Sequence, residues 1–176
     1  MDQKLSLIYL VGVVVLLGAA GIFLLFQIIK TRQAEGKFSR LQKKLNQEKG
    51  TAKDYYELGS IYLDKKLYVQ ATKLMKKALK VSDDTEPENI ALIYNALGYA
   101  YFAQEQFDLA IRHYKDALKR YPEYAIALNN LGNAYERKQM ITKAIKTYEQ
   151  TLELDPKNSV AQRRTEALRK RVVESA

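Results

Sequence analysis

Cysteine is absent from the 176-residue chain. That excludes disulfides, thiol catalysis and any cysteine-based zinc or iron–sulfur site, while leaving the redox compartment open. Tryptophan is absent too. The single histidine, His113, has no cysteine and no second histidine with which to complete a metal site, so it is expected to be an ordinary surface residue beside Tyr114. No glycine-rich phosphate loop and no GxSxG elbow occurs. Carboxylates are numerous but scattered over helix exteriors, with no convincing acid–base pair. Neither catalysis nor a metal or cofactor is expected.

Charge is missing from one long stretch. Leu5 through Ile29 are 25 residues without a charged side chain, rich in Leu, Val and Ile. As a helix they would extend about 37 Å, enough to cross a hydrocarbon core of about 30 Å with some tilt. The run is too long, too weakly basic in front and too apolar beyond Gly18-Ala19-Ala20-Gly21 for a cleaved signal peptide. A retained transmembrane anchor over residues 1–29 is therefore expected. Lys30, Arg32, Lys37, Arg40, Lys43, Lys44 and Lys49 follow the span, whereas only Lys4 and the amino terminus precede it. The positive-inside rule then places the rest of the chain on the cytoplasmic side or its organellar equivalent.

The net charge of +9 is concentrated beside the anchor and at the carboxyl end. Residues 30–49 hold seven basic and two acidic side chains, residues 159–176 five and two, and residues 52–158 sixteen and fifteen. A polynucleotide ligand needs a basic track along its groove, so this distribution argues against nucleic acid as a partner. Residues 30–51 read as a basic juxtamembrane helix or linker in which Phe38, Leu41 and Leu45 recur at helical spacing, with breaks expected at Gly36 and Gly50. Its basic side chains suit anionic headgroups; its apolar residues suit the end of a solenoid, which needs covering.

What dominates the remainder is a repeated pattern. Tyr94, Leu97, Gly98, Tyr101, Ala110, Tyr114, Ala117 and Pro122 are followed 34 residues later by Leu128, Leu131, Gly132, Tyr135, Ala144, Tyr148, Thr151 and Pro156. A weaker copy precedes them at Tyr55, Leu58, Gly59, Tyr62, Ala71, Met75 and Ala78. This period with these residue types resembles the tetratricopeptide repeat, a helix–turn–helix unit that stacks into a solenoid. The implied fold is all-α: an amino-terminal transmembrane helix, three repeats over residues 52–158 (52–85, 91–124, 125–158) and a carboxyl-terminal capping helix over 159–176. Small Gly59, Gly98, Gly132, Ala71, Ala110 and Ala144 suit the close approach of the paired helices. Leu58, Tyr62, Tyr94, Leu97, Tyr101, Leu131 and Tyr135 suit the seams between them. An acidic loop around Asp83, Asp84, Glu86 and Glu88 separates the first two repeats, and the arginine-rich face of the last helix is expected to be solvated.

The resemblance to the repeat family implies a partner-binding groove lined by the first helix of each repeat. Its positions here carry Lys53, Tyr56, Ser60 and Leu63; then Leu92, Asn95, Tyr99 and Phe102; then Ile126, Asn129, Asn133 and Glu136. The basic clamp with which co-chaperones of this family hold acidic chaperone tails is replaced by Tyr56, Ala96 and Ile126. More particularly, the runs Tyr55-Tyr56-Glu57-Leu58-Gly59-Ser60-Ile61-Tyr62, Pro87 through Gly98, Tyr121-Pro122-Glu123-Tyr124 and Asn129 through Tyr135 are similar to the thylakoid-anchored repeat proteins of cyanobacteria and plastids that assist photosystem I assembly. That resemblance implies a thylakoid membrane location, repeats in the cytosol or stroma, and photosystem I subunits or assembly intermediates as protein partners. The alternative expectation is a membrane-tethered adaptor for another bacterial membrane complex.

Overall fold

The computed structural model describes residues 2–82 and 86–174; the Asp83–Asp84 part of the acidic loop lies outside the described residues. The described backbone is helical, with no strand, and divides into two units, residues 1–47 and 48–176.

The first unit is one helix, α1 (Asp2–Gln47). It runs straight through Gly36, which corrects the break expected there. One glycine costs a helix only about 1 kcal/mol relative to alanine, and here no neighbouring atom lies within 4 Å of a Cβ placed on it. Its amino-terminal part is long and apolar enough to cross a membrane, with a mean hydropathy of 2.6. Leu10, Leu16, Ile22, Phe23 and Ile29 are 55–71% exposed, on all sides of the helix.

Among its described residues the second unit has seven helices in three antiparallel pairs plus one: α2 (Ala52–Asp64) with α3 (Tyr68–Lys80), α4 (Pro87–Ala103) with α5 (Phe107–Arg120), α6 (Ala125–Arg137) with α7 (Ile141–Leu154), then α8 (Ser159–Glu174). Each helix packs chiefly against the ones before and after it, the pattern of a solenoid. The first pair starts on a reciprocal cap: Thr51 Oγ1 accepts from the Asp54 N–H at 3.2 Å, and the Asp54 carboxylate accepts from the Thr51 N–H at 3.0 Å.

The turn inside each pair is built the same way. Lys66, Glu105 and Gln139 take the left-handed conformation, with φ of 58°, 59° and 56°. The next N–H then reaches back to a carbonyl near the helix end: Leu67 to Tyr62, Gln106 to Tyr101 and Met140 to Tyr135, at 2.8, 2.9 and 2.9 Å. This terminates the first helix and satisfies carbonyls its own ladder leaves open. Proline stands two residues beyond the ends of α5 and α7, at Pro122 and Pro156, where the helical ladder has already stopped.

The core runs along the seams. Leu97, Tyr114 and Tyr148 are each 1% exposed, and Met75, Ala110 and Ala144 are fully buried. The three helix pairs close onto glycine: a Cβ at Gly98 would stand 2.7 Å from the Tyr114 ring, one at Gly132 2.7 Å from the Tyr148 ring, and one at Gly59 2.8 Å from Met75 Cε. At Gly98 and Gly132 an aromatic ring thus rests against the backbone of the partner helix, where a larger residue would crowd it. At the far end α8 buries Ala161, Thr165 and Leu168. Its arginines are exposed, as their sequence suggests, and three of them also reach side chains of the preceding helix pair. Arg164 bonds Glu136 at 3.3 Å, Arg169 bonds Glu149 at 2.6 Å and Arg171 bonds the Gln139 side chain at 3.0 Å.

Candidate functional site

α2, α4 and α6 touch in series, so their free faces form one continuous surface. The sequence-predicted groove positions fall on it in three groups. Leu92, Tyr99 and Ile126 are 36%, 43% and 59% exposed and leave apolar area on this surface. Tyr56, Ser60 and Asn133 are half-buried, and Ser60 Oγ donates to the Tyr56 carbonyl at 2.9 Å. Tyr99 also meets Tyr68 edge-on, 6.5 Å between ring centres.

The third group is held by the fold itself. Asn95 donates to Tyr124 Oη at 3.4 Å and accepts from Asn130 Nδ2 at 2.9 Å. One repeat later, Asn129 donates to Asn158 Oδ1 at 3.0 Å, and that same oxygen caps α8 by accepting from the Ala161 N–H at 3.1 Å. Both asparagines therefore bridge a repeat to its successor. Asn129 Oδ1 is buried without a partner, because the position equivalent to Asn130 is Arg164, whose guanidinium is drawn to Glu136 instead. Glu136 also accepts from Tyr148 Oη at 3.4 Å. Phe102 packs against the core and meets Phe107 edge-on at 5.4 Å, with the Arg137 guanidinium over both rings. The side chains left to a partner are chiefly Tyr56, Leu92, Tyr99, Ile126 and Asn133.

Ala96, at one of the former clamp positions, is 8% exposed and belongs to the core. The groove deepens into a cavity of about 880 Å³ between α2 and α4, walled in part by Lys53, Tyr56, Lys80, Val81, Asn89, Leu92 and Ile93. Lys80, Val81 and Asn89 were not legible as groove residues, since they come from the end of α3 and the start of α4. The one available signal was the five-residue spacer before Ala91, which no other repeat boundary has.

His113 differs from expectation. Its imidazole stacks on Tyr101 at 5.3 Å and on Tyr94 at 6.1 Å, and its side chain is only 15% exposed. Nδ1 is buried without a hydrogen bond, 3.8 Å from the Asp116 carboxylate. Burial holds its pKa below the usual histidine value; Asp116 opposes that, while Arg112 and Lys76 reinforce it. Burial likewise raises the Tyr124 phenol, with a further push from Tyr56, against the Asn95 bond. Among the described residues no group of three His, Asp or Glu side chains could hold a metal ion.

Comparison with known proteins agrees with this geometry. Two family profiles described as Tetratricopeptide repeat match residues 51–123 and 95–159. The ycf37 protein of Cyanophora paradoxa is 43% identical over 127 residues, covering 72% of this chain and 73% of that one. The chloroplastic tetratricopeptide repeat domain-containing protein PYG7 of Arabidopsis thaliana is 33% identical over 171 residues, covering 97% of this chain and 56% of its own length. Among solved structures, the crystal structure of MamA superposes with a TM-score of 0.72 at 26% identity, over 80% of each chain.

Proposed function

The chain belongs to the tetratricopeptide repeat family, with ycf37 and PYG7 among its relatives, and from that premise we propose that it is a non-enzymatic, membrane-anchored scaffold that assists assembly or stability of photosystem I. Repeat proteins of this kind bind protein partners, and both family profiles that match the chain are of this kind. The observation that carries the finer reading is the extent of the PYG7 match: 97% of this chain takes in the apolar helix together with all three repeats.

Anchoring through residues 5–29 follows from exposed apolar area. Between residues 9 and 29 the leucine, valine, isoleucine and phenylalanine side chains of α1 are 51–71% exposed on all sides of the helix. Each is worth about 1.5–3 kcal/mol once covered by hydrocarbon, and a helix satisfies its own backbone within the bilayer. The basic residues that follow then keep the repeats on the cytoplasmic or stromal side of a thylakoid membrane. The groove offers apolar area at Leu92, Tyr99 and Ile126 beside a free amide at Asn133, a combination suited to a protein segment; Tyr side chains give large contact area at low entropic cost.

Two readouts test the proposal together. The chain should resist carbonate extraction from thylakoid membranes, and its deletion should lower photosystem I abundance. Extraction with the soluble fraction removes the anchor from the account. Unchanged photosystem I in the deletion strain leaves a tethered adaptor for another membrane complex.

A further inference from the structure

Two junctions along the groove are closed by asparagine bridges: Asn95 to Tyr124 and Asn130 between the second and third repeats, and Asn129 to Asn158 onto α8. The junction between the first and second repeats has Tyr56, Ile90 and Ala96 at the corresponding positions, a set with no amide to bridge with. It is also the junction that carries the five-residue spacer. The cavity of about 880 Å³ opens there.

Its exposed charge is basic. Lys53 and Lys80 stand exposed on its wall, and no carboxylate pairs with either among the described residues. Glu57, also on the wall, already has an interaction of its own. Leu92 and Ile93 provide an apolar floor and Asn89 adds an exposed amide. Two ammonium groups with no carboxylate partner among the described residues, over apolar area, match a carboxylate flanked by an apolar side chain. These lysines lie elsewhere than the clamp positions, which Tyr56, Ala96 and Ile126 occupy.

We propose that this cavity holds an aspartate or glutamate of an extended partner segment, with Lys53 and Lys80 on the carboxylate and the neighbouring apolar residue on Leu92 and Ile93. The inference rests on the groove being the recognition surface. It adds a charge preference and a register: the acidic residue enters between α2 and α4, and the rest of the segment continues towards Tyr99 and Ile126.

The test uses the full chain in neutral-lipid nanodiscs, panned against a random dodecapeptide phage library. Recovered peptides should be enriched in Asp or Glu next to an apolar residue. Lys53→Glu with Lys80→Glu should weaken a selected acidic peptide by about tenfold or more, the loss of a charge-assisted pair, and should shift selection towards Lys and Arg. Both positions are exposed, so helical content should not change, and circular dichroism checks this. Peptides selected without acidic residues, or indifferent to the double reversal, overturn the inference but leave the groove. Failure to select any peptide overturns the groove reading itself. Acetylation of Lys53 and Lys80 should be slowed by the selected peptide. Slowing by phosphatidylglycerol in the nanodisc, with no peptide effect, would assign the site to lipid and overturn the inference.

Discussion

Replacing the three helix-pair glycines by alanine should give unequal results, and the inequality can be worked from the seams. Alanine in a helix interior is favoured over glycine by about 1 kcal/mol. Against this stands the space the new methyl must find. At Gly98 it would lie 2.7 Å from both Cδ1 and Cε1 of Tyr114 and 3.2 Å from Cγ, and at Gly132 2.7, 2.9 and 3.0 Å from the Tyr148 ring. These rings are 1% exposed and rigid, so the whole ring or its helix must move. Overpacking of that kind costs about 1–3 kcal/mol, which leaves Gly98→Ala and Gly132→Ala destabilised by up to about 2 kcal/mol. At Gly59 the closest atom is Met75 Cε at 2.8 Å, the tip of a flexible chain, with Sδ at 3.3 Å. A rotation of that methyl relieves the contact, so Gly59→Ala should be neutral to stabilising by up to about 1 kcal/mol. Thermal unfolding of the full chain in detergent, followed at 222 nm, reads the difference, since about 1 kcal/mol moves Tm by roughly 2–8 °C for domains in this size range. A cycle sharpens it: Gly98→Ala with Tyr114→Met gives the second repeat the flexible partner that Met75 provides in the first. Its cost should fall below the sum of the single costs by about 1 kcal/mol. Equal Tm values for the three alanine variants, or no coupling in the cycle, would refute the idea that the ring resting on the glycine sets these seams.

Two further expectations follow from local features. Lys66→Gly should raise stability by about 0.5–1 kcal/mol, because its φ of 58° suits glycine better than a side chain, and the same melting assay shows the gain. His113 has a folded-state pKa below its ordinary 6.5, so as pH falls through that value the unfolded chain takes up the proton first and stability drops, the loss ending below the folded pKa. His113→Phe keeps a ring between Tyr94 and Tyr101 and should flatten the stability profile between pH 7 and about 5; an unchanged slope would place the titration elsewhere.

Much of the second unit was legible because its packing is periodic. Small residues at 98 and 132, with large ones at 114 and 148, carry the seam in their spacing, and each pair meets in the fold as a ring on a glycine. The turns were less legible. Lys66, Glu105 and Gln139 take a conformation usually left to glycine, and nothing in those side chains announces it. Asn95 and Asn129 read as free groove amides because a polar residue on an inner face looks available. Only the folded chain brings Tyr124 and Asn158, each 29 residues on, within bonding distance. His113 was misjudged for the same reason, since Tyr94 and Tyr101 become its neighbours only when α4 packs on α5. The arginines of α8 are exposed as their pattern indicates, but their bonds to Glu136 and Glu149 were not legible because those carboxylates meet them across helices.

The most direct test of the scaffold is recovery of photosystem I proteins from solubilised thylakoid membranes with a tagged full-length chain. Wild type and a Leu92→Ala/Tyr99→Ala variant are compared, leaving the Asn95 and Asn129 bridges intact. Photosystem I subunits or assembly intermediates should be enriched with wild type and lost to about a tenth or less with the variant, both chains being equally helical and membrane-bound. Equal recovery would move recognition off the groove, and no photosystem I protein with either chain would contradict the account at its centre.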